Sequence, residues 1–467
     1  MTATAALDIA PERANAHLHQ AWADAESRCI KCGFCLPVCP TYRLTAVESA
    51  SPRGRLDLMY AAARGELTIA EIRPALALCL GCLACETACP SGIRYRDMLE
   101  AERIDQAAAH PGSPLKRFLL GTLLDRPSWL RVIVAALAVY QGSGLQALVR
   151  ATRLLWLVPP LARIERRMPP AAWPRAWRAA AVHWGLVSAL PKGEAARTGP
   201  PAAGMLTGCV MDAAFGPTHL ATAKALAVHG WRPVAPAQGC CGALAMHAGE
   251  PDLARAMARR LIAAFDSALG TQGERPIVVN SAGCGAAMKD YASWLAGDPA
   301  WAARAADFSR RVVDVCEFLE RIGLRPPRRE VKLRVAYDDP CHLIHAQRIR
   351  EQPRTLLKRL PGLRWVELPE ADWCCGGAGS YTLAQPAMSA RVLERKMEHI
   401  AALGLDAIAT GNPGCLLQIA AGVGQRGLPV RVLHPIELIA MAYEDESPVA
   451  SSGSGPARPH DPPRGRA

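Results

Sequence analysis

The chain has 467 residues, half of them apolar and 21% charged, and it carries 17 cysteines. It is too long for one ordinary core, so two or three domains are expected. Its formal charge of +12 comes largely from arginines scattered along the sequence, and aromatics make up only 5% of it, which argues against nucleic acid as a partner.

Residues 1–19 read as a flexible N-terminus. The stretch Met1 to Gln20 is polar and alanine-rich, without the basic-then-apolar order of a secretory signal, so a cytoplasmic setting is expected. There, clustered cysteines bind metal or do redox chemistry more often than they pair. Residues 20–110 contain eight of them in two identical runs. Cys29, Cys32, Cys35 and Cys39-Pro40 give C-x2-C-x2-C-x3-C-P, and Cys79, Cys82, Cys85 and Cys89-Pro90 repeat it 50 residues later. Three close cysteines can wrap three corners of an iron–sulfur cube while the fourth, before the proline, reaches the other cube. The expectation is two [4Fe-4S] clusters, one on Cys29, Cys32, Cys35 and Cys89, the other on Cys79, Cys82, Cys85 and Cys39. Zinc also uses C-x2-C pairs, but not in two such tandem runs. Gly33, Gly81 and Ala84 leave room for backbone amides near the sulfurs. Arg53–Ala63 and Ile69–Leu78 read as helices, so this segment is expected to be an α-helical two-cluster ferredoxin.

Residues 111–200 hold no cysteine and read as a helical connector with breaks at Pro159-Pro160 and Pro169-Pro170. Its most apolar part, Trp129 to Leu161, is interrupted by Arg131, Gln141, Gly142, Gly144, Arg150 and Arg153 and does not make a spanning helix. An amphipathic connector able to touch a membrane or a partner shallowly is the expectation.

Residues 201–445 contain an internal repeat, expected as units 201–325 and 326–445. Cys209, Cys240-Cys241-Gly242 and Cys284 recur as Cys341, Cys374-Cys375-Gly376 and Cys415. Ile277–Cys284 matches Ala407–Cys415, and Val312–Leu319 matches Val432–Ile439. Short β-rich runs (Met205–Gly208, Val234–Pro236, Ile277–Asn280, Val335–Asp338, Trp365–Leu368, Ile408–Thr410) alternate with helical stretches such as Thr218–His229 and Pro386–Leu403. That alternation predicts parallel α/β layers, with most of the cysteines just beyond strand ends. Residues 446–467, rich in Ser, Gly, Pro and Arg, read as a disordered tail.

A glycine-flanked turn lets both members of a Cys-Cys pair face one site. The four thiols Cys209, Cys240, Cys241 and Cys284, and again Cys341, Cys374, Cys375 and Cys415, suit a further iron–sulfur cluster, a zinc ion or a redox-active dithiol. Cys316 reads as a buried, inert thiol. His342 and His345 are candidate proton carriers or ligands, and Asp338 and Asp339 read as turn and cap residues. Gly377-Ala378-Gly379 lacks the third glycine of a dinucleotide fingerprint, and no flavin, NAD or P-loop signature is present.

With both cysteine sets in view, the sequence resembles the iron–sulfur subunits of glycolate oxidase. The resemblance rests on Cys39-Pro-Thr-Tyr-Arg-Leu44, Ser51-Pro-Arg-Gly-Arg-Leu56, Cys89-Pro-Ser-Gly-Ile-Arg-Tyr95, Asp339-Pro-Cys-His342 and Trp373-Cys-Cys-Gly-Gly-Ala-Gly-Ser380. It implies a ferredoxin joined to two Cys-Cys-Gly domains of the heterodisulfide reductase type. It also implies FAD-binding partner subunits that oxidise glycolate to glyoxylate, and a membrane quinone or other electron acceptor. This subunit would itself carry no catalytic residue, unless Cys374, Cys375 and His342 act in redox chemistry. One departure is that such modules usually end in C-x2-C, and Ala287 and Gln418 stand at those positions here. The alternatives are service to a lactate or glycerol 3-phosphate dehydrogenase, a thiol–disulfide reductase, and a zinc-stabilised scaffold.

Overall fold

The computed structural model describes residues 25, 27–109, 114–152, 165, 200–270 and 275–443. The expected flexible start, the C-terminal tail and both proline breaks of the connector lie outside them.

The ferredoxin segment is built from short capped helices. Pro40 opens α1 (Pro40–Thr45) directly after Cys39, because its fixed φ suits a first turn. Ser51 caps α2 (Pro52–Ala63) by accepting the Gly54 amide at 2.9 Å. Thr68 and Glu71 form a capping box on α3 (Ile69–Ala77). After α4 (Ala84–Ala88) and α5 (Tyr95–Ala109), Leu56, Met59, Ile72, Leu76, Tyr95 and Met98 close one small core. Both helices expected here are present.

The connector contributes α6 (Pro127–Gly142) and α7 (Leu145–Thr152). The chain bends by 68° between them, at Ser143 and at Gly144, which takes φ +81°. Among the described residues no single helix is long and apolar enough to cross a membrane, although the bent pair together meets that length and composition. Trp129, Val132, Ile133, Val139, Leu145 and Leu148 are exposed along it.

Each repeat forms a four-stranded parallel sheet. The first runs β1 (Ala202–Met205), α8 (Gly216–Val228), β2 (Arg232–Val234), α9 (Pro251–Leu269), β3 (Ile277–Val279), α10 (Ala282–Lys289), β4 (Val312–Asp314) and α11 (Val315–Ile322). The second runs β5 (Arg334–Tyr337), α12 (Glu351–Lys358), β6 (Arg364–Trp365), α13 (Pro386–Ala402), β7 (Ala407–Ala409), α14 (Pro413–Gln425), β8 (Arg431–Leu433) and α15 (Pro435–Met441). Strand orders are β2-β1-β3-β4 and β6-β5-β7-β8. The fold is thus a helical ferredoxin followed by a duplicated α/β unit. β3, β5 and β7 fall where expected, whereas β1, β2 and β6 end at the first residue of the expected runs Met205–Gly208, Val234–Pro236 and Trp365–Leu368. β4 and β8 are not among the six expected strands. Each is only three residues long: β4 passes straight into α11, and β8 reaches α15 after the single cap residue His434, so neither stands apart from its helix in the sequence.

The repeats pack helix against helix. α8 of the first packs on α15 of the second, and α11 of the first on α12 of the second. Leu226, Phe318, Leu356 and Ile439 therefore sit in one shared core, whose apolar burial holds the halves together. In each sheet the order reverses beside the first strand, so loops leaving the carboxyl ends of its two central strands diverge and open a crevice. The loops after β3 and β7 also meet directly: Ala282 N donates to Gly411 O and Gly283 N to Asn412 Oδ1, both at 3.1 Å.

Candidate redox centres

The two ferredoxin runs need left-handed backbone at two equivalent places. Lys31 and Gly81 take φ +55° and +64°, and Gly33 and Leu83 take +83° and +64°. Each run supplies glycine at one place and strains an ordinary residue at the other, as happens where surrounding structure fixes a functional loop. One small cavity is lined by Cys29, Cys32, Cys35 and Cys89 together with Cys85. A second is lined by Cys39, Cys79, Cys82 and Cys85.

Donors already face these sulfurs. Gly81 N lies 3.4 Å from Cys79 Sγ, Ile93 N 3.5 Å from Cys89 Sγ, and Tyr95 OH 3.8 Å from Cys79 Sγ. Such N–H and O–H contacts fit thiolates that ligate an iron–sulfur cluster. Burial pushes the Cys82 and Cys85 thiols up, a cost that metal ligation offsets. Arg55 carries no local sequence signal for its place here. It is 1% exposed, donates to Ala75 O at 2.9 Å and Thr41 Oγ1 at 3.0 Å, and keeps its charge against burial because Cys79, Tyr95 and Cys39 surround it.

In the repeats, Gly242 and Gly376 take φ +84° and +82° directly after the Cys-Cys pairs, which turns both thiols of a pair inward. Their amides reach back to Cys240 Sγ at 3.5 Å and Cys374 Sγ at 3.4 Å, and Gly377 N lies 3.4 Å from Cys375 Sγ. Cys209 and Cys240 stand 3.7 Å apart, and Cys375 and Cys415 3.3 Å. Hydrogen bonds from Cys209 and Cys241 hold Cys240 well below the usual thiol range, and bonds from Cys374 and Cys415 do the same for Cys375. All eight thiols, Cys209, Cys240, Cys241, Cys284, Cys341, Cys374, Cys375 and Cys415, line one cavity of about 650 Å³ between the repeats. Arg96, Leu99 and Arg103 of α5 close its ferredoxin side.

Other candidates separate. His342 lines that cavity, with Nδ1 3.5 Å from Cys341 Sγ and its ring 5.8 Å from that of His247. His345 faces elsewhere, bonding Thr87 Oγ1 at 2.8 Å. Asp338 and Asp339 are not surface turn residues. Asp338 is buried against Lys396 and Thr410, and Asp339 is held by Arg354 at 2.6 and 2.7 Å. Their cationic partners come from distant helices, which a local reading misses. Cys316 is 2% exposed within the shared core.

Residues 25–93 match the family model for the 4Fe-4S dicluster domain, and 203–289 and 335–420 match that for the cysteine-rich domain. Residues 111–168 match the linker region of the glycolate oxidase iron-sulfur subunit. The probable glycolate oxidase iron-sulfur subunit of Bacillus subtilis is 36% identical over 435 residues, covering 89% of this chain and 93% of that protein. The chain belongs to the glycolate oxidase iron–sulfur subunit family. The glycolate oxidase iron-sulfur subunit of Escherichia coli is 31% identical over 90% of this chain and 94% of its own length. Lactate utilization protein A of Oceanobacillus iheyensis is 28% identical over 50% of this chain and 93% of its own. As a member of this family, the chain is a component of an oxidoreductase complex.

Proposed function

We propose that this chain is the electron-carrying subunit of a glycolate-oxidising complex. FAD-binding partner subunits convert glycolate to glyoxylate, and this subunit relays the electrons one at a time toward a membrane quinone or another acceptor. In this reading Cys29, Cys32, Cys35 and Cys89 hold one [4Fe-4S] cluster, and Cys79, Cys82, Cys85 and Cys39 the second. Each repeat carries a further iron–sulfur group on its four thiols. Bound clusters supply one-electron oxidation and reduction. The protein's own part is to converge the thiols, direct N–H groups at sulfur and exclude water. The protein works in the cytoplasm, with the exposed apolar residues of α6 and α7 touching the inner membrane face.

The observation that carries the reading is a shared apolar wall. Leu80 packs with Trp373, Cys374 and Tyr381, and Cys82 and Cys341 lie against the same cluster. Tyr381 OH also donates to Leu78 O at 2.8 Å. The second ferredoxin set and the second repeat set are thus neighbours, as stepwise electron transfer requires. The likeness to lactate utilization protein A keeps a lactate-oxidising partner as the second reading.

Anaerobic purification with iron and acid-labile sulfide analysis tests the proposal. About twelve to sixteen irons per chain are expected with the repeats filled, and about eight would confine clusters to the ferredoxin sets. Colourless protein without labile sulfide would sink the reading. Co-purification with a flavoprotein active on lactate and not on glycolate would select the second reading.

A further inference from the structure

Each ferredoxin cavity has an arginine of α2 in its wall, Arg53 in the first and Arg55 in the second. Their situations differ. Arg53 is partly exposed at the rim, where Nε lies 2.8 Å from Glu48 Oε1 and Nη1 donates to Lys31 O at 3.2 Å. A carboxylate matches its charge and water screens it. Arg55, two residues on, is turned into the protein and is 1% exposed. Its Nε donates to Ala75 O at 2.9 Å and its Nη2 to Thr41 Oγ1 at 3.0 Å, both neutral acceptors. Among the described residues no carboxylate forms an ion pair with it.

A guanidinium taken out of water without a carboxylate is costly, and it persists only where other negative charge is near. Here that charge is thiolate sulfur. Cys39, Cys79, Cys82 and Cys85 line the same small cavity as Arg55. Thr41 Oγ1, which accepts from Arg55, lies 3.2 Å from Cys39 Sγ. The cation therefore stands one hydroxyl away from a sulfur of the second set. Cys39 and Cys79 are buried, whereas Cys32 of the first set is exposed, so charges act on one another more strongly at the second set.

Two effects oppose each other there. Reduction adds negative charge, which burial disfavours and a fixed cation favours. Burial alone would leave the second set harder to reduce than the first. We propose that Arg55 offsets that burial, raising the reduction potential of the second ferredoxin set so that it draws electrons from the first and passes them toward the second repeat. The inference rests on the electron-carrier reading and adds the residue that gives the relay its direction. One electron leaves the reduced first set and one enters the oxidised second; no proton moves and no bond breaks. Cys85 lines both cavities, so the two sets are neighbours.

A dithionite redox titration of the anaerobically purified holoprotein, followed by electron paramagnetic resonance, tests this. The midpoint that Cys82→Ser alters or removes belongs to the second set. Arg55→Gln should lower that midpoint by about 59 mV or more, a tenfold change in the one-electron equilibrium, and leave the others in place. Arg55→Lys keeps the charge and should stay within about threefold of the wild-type equilibrium. Arg53→Gln removes an equal charge from the screened rim and should leave the second-set midpoint in place. If Arg55→Gln loses iron, Thr41→Val carries the comparison, with a drop of about threefold expected at the same midpoint. The proposal is overturned by a second-set midpoint that the substitution used leaves unmoved, by a fall in all midpoints together, or by an equal fall in Arg55→Lys or Arg53→Gln. Iron and sulfide content report separately on the parent reading: a chain without clusters sinks that reading, and a loaded chain with an unmoved midpoint sinks this one alone.

Discussion

The two repeats hold their thiols at the same strand ends, yet the surroundings of the Cys-Cys pairs differ. In the first repeat the residue before the pair is Gly239, and Asp125 of the connector closes on it so tightly that a Cβ there would lie 2.5 Å from Asp125 Oδ1. In the second it is Trp373, covered by Arg43 and Arg395 and bonded through its indole nitrogen to Val392 O at 2.9 Å. Arg43 belongs to α1, just beyond Cys39, so the second pair meets the ferredoxin where the first meets the connector. The second repeat also buries the Lys396–Asp338 ion pair, 1% exposed on both side chains, where the first has Leu206 in place of Asp338. Duplication thus explains where the thiols are. Divergence of their neighbours explains why the second set lies against α1 and the second ferredoxin run, the first against α5 and the connector, and why only the second carries this buried ion pair.

Breaking that buried pair should have the largest effect on stability. Lys396→Met leaves Asp338 without its cation and should cost about 3–5 kcal/mol, and adding Asp338→Leu should recover most of it. Denaturation midpoints of the single and double variants check this. Equal losses in both would show that the pair is not coupled.

The next contrast is in pH. Asp314 and His434 occupy the same place in the two repeats, each closing a capping box, on α11 and α15. Burial lifts the Asp314 carboxyl from 3.8 to about 7 and lowers the His434 imidazole from 6.5 to about 3, since each is easier to bury neutral. Between 3.8 and 7 the unfolded chain ionises Asp314 before the folded one does, so its contribution is full below 3.8 and fades as pH rises toward 7. Between 6.5 and 3 the unfolded chain protonates His434 first, so its contribution is full above 6.5 and fades as pH falls toward 3. Asp314→Asn should flatten the first limb of a melting-temperature profile and His434→Asn the second, each by on the order of 2–4 kcal/mol at the extreme. A variant that shifted the whole profile evenly would show a packing effect instead.

The smallest effect is expected at Glu370, which Arg43 and Arg395 hold at 2.9 and 2.5 Å and which their hydrogen bonds keep at about 2. Part of this network faces solvent, so Glu370→Gln should cost about 1 kcal/mol or less. High salt should shrink that difference between variant and wild type in a melting experiment.

Much of this was legible in sequence wherever the signal is local. The ferredoxin runs and the repeat show because ligand spacing is written along the chain. β3, β5, β7 and the glycine turns follow from short patterns, while β1, β2 and β6 lie upstream of the runs that announced them. Other features arise only from tertiary contact. The cavity facing all eight thiols depends on the packing of one repeat against the other. Asp338 and Lys396 are 58 residues apart, and Asn280, just beyond β3, bonds through Nδ2 to His219 and Thr222 of α8. Lys31 and Leu83 carry left-handed backbone that nothing in their residue types announces.

The most direct test of the account compares electron paramagnetic resonance of the dithionite-reduced holoprotein with that of Cys374→Ser and Cys240→Ser. The second ferredoxin set lies against the second repeat, so beyond the coupling between the two ferredoxin clusters its signal should show a further spin interaction that Cys374→Ser removes and Cys240→Ser leaves in place. A spectrum unchanged by Cys374→Ser, or coupling lost only in Cys240→Ser, would contradict it.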